Sequence, residues 1–172
     1  MLVSLRKSLQ ELFVVSDGYS VSPYSNEEEY MPTWSGDLIY SLEQDRFKKL
    51  CAGYFEEKCY STKINDSNDL KHAHVMLFKE SYSSTKPFGI IKCWETKAIH
   101  VEHKDLSEFA TYIAENNFPL NVFITAGKIS DDVFKLRDKK IRLIDGNKIL
   151  MLIKTLPEIR KQRLLFKLSG NS

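Results

Sequence analysis

The four histidines are the first residues whose type and spacing suggest chemistry. His72 and His74 fall on one face of a predicted strand, and His100 and His103 follow in His-Val-Glu-His. Imidazole nitrogens converging on one point hold zinc or another borderline metal. Neither spacing is by itself a metal-ligand signature, so solvated or hydrogen-bonded histidines are the plainer reading, with His72 and His74 as the weak metal candidates. Asp66, Asp69, Glu80, Glu95 and Glu102 lie near the same stretches, and a hard-cation site would draw its carboxylates from them. Cys51, Cys59 and Cys93 are odd in number and contain no C-x-x-C pair. Neither a disulfide framework nor a cysteine zinc site is indicated, and a reducing cytosol fits.

Charge offers a second lead. Between Lys135 and Lys167 eleven basic residues stand against three acidic ones, although the whole chain has a net charge of only +2. Such a local excess can hold phosphates through counterion release, with Arg160, Lys161 and Arg163 on the last predicted helix and Lys139 and Lys140 before it as the DNA-binding candidates. A solvated helical face is the alternative. At 172 residues with 42% hydrophobic side chains, the chain can bury a core of one domain. The basic residues near Met1 fall inside an amphipathic pattern, and no stretch reaches membrane-spanning length, so neither export nor insertion is expected.

These residues must be positioned by elements that the periodicity predicts. Leu5, Leu9, Leu12 and Phe13 suggest a short amphipathic helix, which could dock on its own domain, a second copy or a protein partner. A polar arm follows to residue 40, so the domain is expected over 41–168 with a short tail at 169–172. Ser41 and Gln44 have the spacing of a capping box. The helix after them carries Phe47, Leu50, Cys51, Tyr54 and Phe55 inward, with Arg46, Lys48, Lys49, Glu56 and Glu57 outward. His72 to Phe78 and Phe88 to Trp94 read as a β-hairpin, in which Trp94 is expected to be core. Leu106 to Ile113 predicts a helix ending at Asn116-Asn117, and Leu120 to Thr125 a covered central strand. A helix after Ser130, a strand at Ile141 to Ile144 and a helix around Ile149 to Ile153 complete an α-β-β-α-β-α-β-α order. That order predicts an α/β fold with a mixed sheet flanked by helices.

The string Val122-Phe-Ile-Thr-Ala-Gly-Lys-Ile-Ser130, followed by Ile141-Arg-Leu-Ile-Asp-Gly146, resembles the Mrr-type restriction endonuclease domain of the PD-(D/E)XK nuclease superfamily. Phe47 to Tyr60 is similar to that family's first helix, Pro87 to Trp94 to its Gln/Glu-x-Lys strand, and Leu156-Pro157 with Leu164-Leu165 also fits. The likeness covers roughly Ser41 to Leu168. It implies a restriction-endonuclease-like fold, phosphodiester hydrolysis, a DNA partner and a prokaryotic cytosolic setting. Such chemistry needs carboxylates that hold Mg²⁺ beside the scissile phosphate and a lysine near the attacking water.

Carried over position by position, the resemblance puts His74 where an Asp is expected, Ile90 where Gln or Glu is expected, and Lys48 in place of a Glu. Lys92 matches the family lysine. An isoleucine has no lone pair for a metal, and a lysine brings a repelling charge. The resemblance therefore implies a degenerate catalytic set: a pseudo-nuclease that binds DNA and needs no cofactor. The alternatives are an active Mg-dependent endonuclease with Lys92 catalytic, and a non-catalytic protein-interaction module. Lys92 itself reads equally as a phosphate contact or as a strand-end lysine whose ammonium reaches solvent.

Overall fold

A computed structural model of the chain describes residues 33–65, 74–81, 85–94, 100–136 and 139–169, without the side chains of His100 and Leu136. The amphipathic segment around Leu5 to Phe13, the arm after it as far as Pro32, His72, Asp66, Asp69 and Glu95 lie outside the described residues.

The first two helices correct the capping expectation. Helix α1 spans Gly36–Ser41 and helix α2 spans Gln44–Glu56. Ser41 closes α1, its hydroxyl donating to the Leu38 carbonyl at 2.9 Å, so it does not cap α2. Leu42 and Glu43 are extended, and Glu43 stands at the N-cap of α2 without a side-chain bond. Leu42 is buried, and burying it sets the break between the helices. Gln44, freed from capping, instead donates its amide to the Cys93 carbonyl at 3.0 Å. Trp34, Leu38 and Ile39, all ahead of Ser41, are buried in the same core as α2.

The sheet has five strands in the order β1-β2-β3-β5-β7: Ser61–Ile64, Val75–Phe78, Gly89–Cys93, Leu120–Ile124 and Ile141–Ile144. β1, β2 and β3 run antiparallel, and β3, β5 and β7 run parallel. The predicted hairpin and the mixed sheet are present, with one strand more than the expected order contained. That strand, Ser-Thr-Lys-Ile at the sheet edge, alternates exposed and half-buried residues and has too little apolar content to be read as a strand. A second sheet pairs two short strands, β4 at His100–Val101 and β6 at Lys128–Ile129.

Helices cover both faces. Ile91, Cys93, Val122, Ile124 and Ile144 point to one face, against α1, α2, α5 (Gly146–Lys154) and α6 (Glu158–Leu168). Ile90, Phe123, Ile141 and Leu143 point to the other, against α3 (His103–Asn116) and α4 (Asp131–Leu136). Strands buried on both sides read as continuous apolar runs, which is why β3, β5 and β7 are legible in sequence. Helix α3 ends at Asn117, whose φ of 51° is left-handed and suits asparagine.

Helix α6 corrects the expected outer face of α2. Glu57 is only 5% exposed, because α6 docks over the end of α2 and brings two arginines to it. Arg163 donates to both Glu57 carboxylate oxygens at 3.1 Å, and Arg160 donates to the Glu57 carbonyl at 2.6 Å. Lys167 pairs with Glu56 alongside. Replacing Arg160 and Arg163 together by Ala strands a buried carboxylate. The expected loss is about 2–3 kcal/mol in urea denaturation, below the cost of a fully enclosed pair because both arginines are half exposed. An unchanged midpoint would mean that Glu57 finds water without them.

Candidate functional site

The end of the sheet formed by the start of β2 and the finish of β3 collects the carried-over positions. Val75 pairs with Ile91, and His74, just ahead of β2, donates its backbone amide to the Ile91 carbonyl at 2.9 Å, so His74 sits beside the finish of β3. Ile90 lies one pair further in, opposite Met76. Along β3, pleating turns Ile90 and Lys92 to one face and Ile91 and Cys93 to the other.

Ile90 is 0% exposed and belongs to the apolar cluster of Phe109, Phe123 and Leu143. Enclosing such a side chain contributes about 2 kcal/mol. Lys92 projects on the same face, half-buried, with its Nζ 6.0 Å from the centroid of the Trp94 ring. Trp94 in turn stacks on Phe123 at 5.7 Å, so this aromatic packs against the core as expected. Burial lowers the Lys92 pKa, and the charges of Glu108 and Asp105 on α3 oppose the shift. These two carboxylates, one helical turn apart, were not among the sequence candidates. Their i, i+3 spacing was visible, but nothing in the sequence says that α3 lays that face beside β3. Asp105 is already occupied in a capping box, its carboxylate accepting from the Glu102 amide at 2.9 Å.

Lys48 and His74 are brought to the opposite face, around Cys93. Lys48 donates to Asp45 at 3.1 Å and is 15% exposed, so it too departs from the outer position expected on α2. Interaction with Cys51, then with His74 and Lys48, draws the Cys93 thiol pKa down to about 6 against burial, which pushes it up. Sequence reading put Cys51 on the apolar stripe of α2 and gave Cys93 no place in the core, where both are buried. Gln44 Oε1, His74 Nδ1 and Trp94 Nε1, all around the end of β3, are buried without a hydrogen-bond partner. Ordered water is the usual partner of such groups.

Among the described residues, those at the carried-over positions do not fit a magnesium ion. An octahedral oxygen shell needs converging carboxylates, whereas this sheet end presents Ile90, two lysines and a histidine split between two faces. Among the described residues no group of three His, Cys, Asp or Glu side chains could hold a metal. His103 opens α3 and is exposed, with no second histidine described beside it.

The basic candidates separate as well. Arg160 and Arg163 are engaged by Glu57, which joins α6 to the end of α2, and Lys161 pairs with Glu158 at 2.7 Å within α6. Lys139 and Lys140 are exposed in the turn entering β7. Because β3 and β7 run in the same direction, that turn lies at the other end of the sheet from Lys92. None of the described helices is long and apolar enough to cross a membrane.

The family model for the restriction endonuclease catalytic domain of the Mrr type matches residues 39–153, well over half of the chain. No curated protein matches it.

Proposed function

The chain belongs to the Mrr-type restriction endonuclease family, and from that premise we propose that it associates with double-stranded DNA and cuts it poorly or not at all. The observation that carries this reading is Ile90. It stands where the family's metal-binding Gln or Glu belongs, and it is wholly enclosed in hydrocarbon. A metal shell at that point would have to be solvated by a surface that offers no lone pair. Lys92 keeps the family identity, but its neighbours are the carboxylates of α3.

DNA contact falls to exposed cations, and Lys139 and Lys140, both exposed in the turn entering β7, are the candidates for it. Phosphates held at that turn lie away from Lys92, which agrees with binding that does not lead to cleavage.

The test pairs two assays. With Mg²⁺ or Mn²⁺, supercoiled plasmid should remain intact. Nicking that disappears in a Lys92→Ala variant would establish an active nuclease with ligands elsewhere. Fluorescence anisotropy with duplex DNA should show binding that weakens with salt. Reversing Lys139 and Lys140 to Glu should flatten the salt slope by about two. Absence of binding at low salt would favour the protein-interaction reading, in which the exposed Ile159 and Phe166 of α6 are the surface to examine.

A further inference from the structure

We propose that the segment from Leu5 to Phe13 folds back on its own domain and covers the outward face of α6. That face carries apolar side chains where a solvated helix would be polar. Ile159 and Phe166 are seven positions apart, two helical turns, and so stand on one side of α6, 65% and 39% exposed. Gln162 between them is exposed, whereas Leu164 and Leu168 on the opposite side are buried in the core.

The route of the chain selects the occupant. Trp34, at the start of the described residues, is buried in the same core as Leu164 and Leu168, and its indole Nε1 donates to the Lys161 carbonyl at 3.3 Å. Residues 1–32 therefore join the domain beside this helix. Leu5, Leu9 and Leu12 have the spacing of a helical stripe, which Phe13 widens, and Leu5 and Leu12 are again seven positions apart. A helix through them offers an apolar stripe of about 10 Å, the length of the one on α6. A segment tethered at Trp34 has an effective concentration on the order of millimolar, which a free second copy does not reach in dilute protein.

Charge complements the apolar match. The stretch 14–32 contains Asp17, Glu27, Glu28 and Glu29 and no lysine or arginine. On α6, Arg160 and Arg163, with side chains 41% and 54% exposed, share the single carboxylate of Glu57, which leaves that corner with an excess positive charge. Glu29 is five positions ahead of Trp34, a reach of about 17 Å when extended, and α6 spans about 16 Å, so the acidic triplet is within range of the arginines. Exposed pairs of this kind add little binding energy. They set the direction in which the segment lies, and burial of the Leu and Phe side chains holds it.

The test is hydrogen–deuterium exchange on the full chain, without DNA, in dilute and in concentrated protein. Amides of residues 5–13 are expected to exchange roughly tenfold or more slower than in a synthetic peptide of the same sequence. That protection should be equal at both concentrations and vanish in the double variant Ile159→Glu, Phe166→Glu. Both side chains face solvent, so β3 and β5 should keep their own protection in this variant. A second variant, Leu5→Glu with Leu9→Glu, alters nothing in the described domain and should free the segment equally. Exchange of 5–13 at the peptide rate in the parent chain, as for a segment that awaits a separate protein, would overturn the proposal. So would protection that survives both variants, or protection confined to concentrated protein, the mark of a second copy. The readout involves no DNA, so its failure leaves the DNA-binding reading standing.

Discussion

Ile90→Glu is expected to lower the unfolding free energy by roughly 3–5 kcal/mol at neutral pH and to bring no metal-dependent nicking with it. The substitution restores the residue type that the resemblance implies at this point, so its failure would be informative. In a working site the carboxylate would share a metal ion and its water shell. Here it enters the cluster of Phe109, Phe123 and Leu143, where no cation balances it.

The acid would remain protonated in the folded state and ionise in the unfolded one, so the folded protein binds more protons. Its cost is therefore small below the unfolded carboxyl range near about 4.3 and grows as pH rises above it. Urea midpoints measured at acid and at neutral pH should diverge in that direction. A variant as stable as the parent at neutral pH, or one that gains Mg²⁺-dependent nicking, would mean that position 90 faces a hydrated site.

Gly146→Ala should be more damaging still, by about 4 kcal/mol or more. A Cβ at this position would lie 2.0 Å from the Ala126 carbonyl oxygen and 2.9 Å from its carbon, and both are backbone atoms that cannot rotate away. The contact is built into the fold. Gly146 opens α5 as the chain leaves β7, and its amide donates to the Gly127 carbonyl at 3.0 Å, joining that exit to the one from β5. Removing the neighbouring N-cap by Asp145→Ala loses one bond to the Lys148 amide, 2.8 Å long, at a cost of about 1 kcal/mol. Comparison of the two by thermal denaturation separates backbone collision from lost capping. A Gly146→Ala midpoint equal to that of Asp145→Ala would show that the strand exits can part.

The fold was legible where burial is continuous. β3, β5 and β7 are covered on both faces and so read as apolar runs, and α2 and α3 show their stripes because each buries a single side. β1 was not legible, because an edge strand of Ser, Thr, Lys and Ile follows no apolar alternation and exists only through pairing with β2. The break between α1 and α2 was misjudged because Ser41 and Gln44 satisfy a capping pattern that burial of Leu42 overrides.

By itself, the sequence determined the residue types at the positions that the resemblance carries over: a lysine at 92 and no carboxylate at 48, 74 or 90. Register and docking decided where those residues meet. Pleating sends Ile90 and Lys92 to one face, while Lys48 and His74 gather around Cys93 on the other. Only the packing of α6 onto α2 shows Arg160 and Arg163 spent on Glu57, since a run of basic residues carries no mark of the acid that will neutralise it. Residue type is local information. Burial of Cys51 on a helix and Cys93 on a strand in one core requires that α2 lie over β3, which is set by the core as a whole.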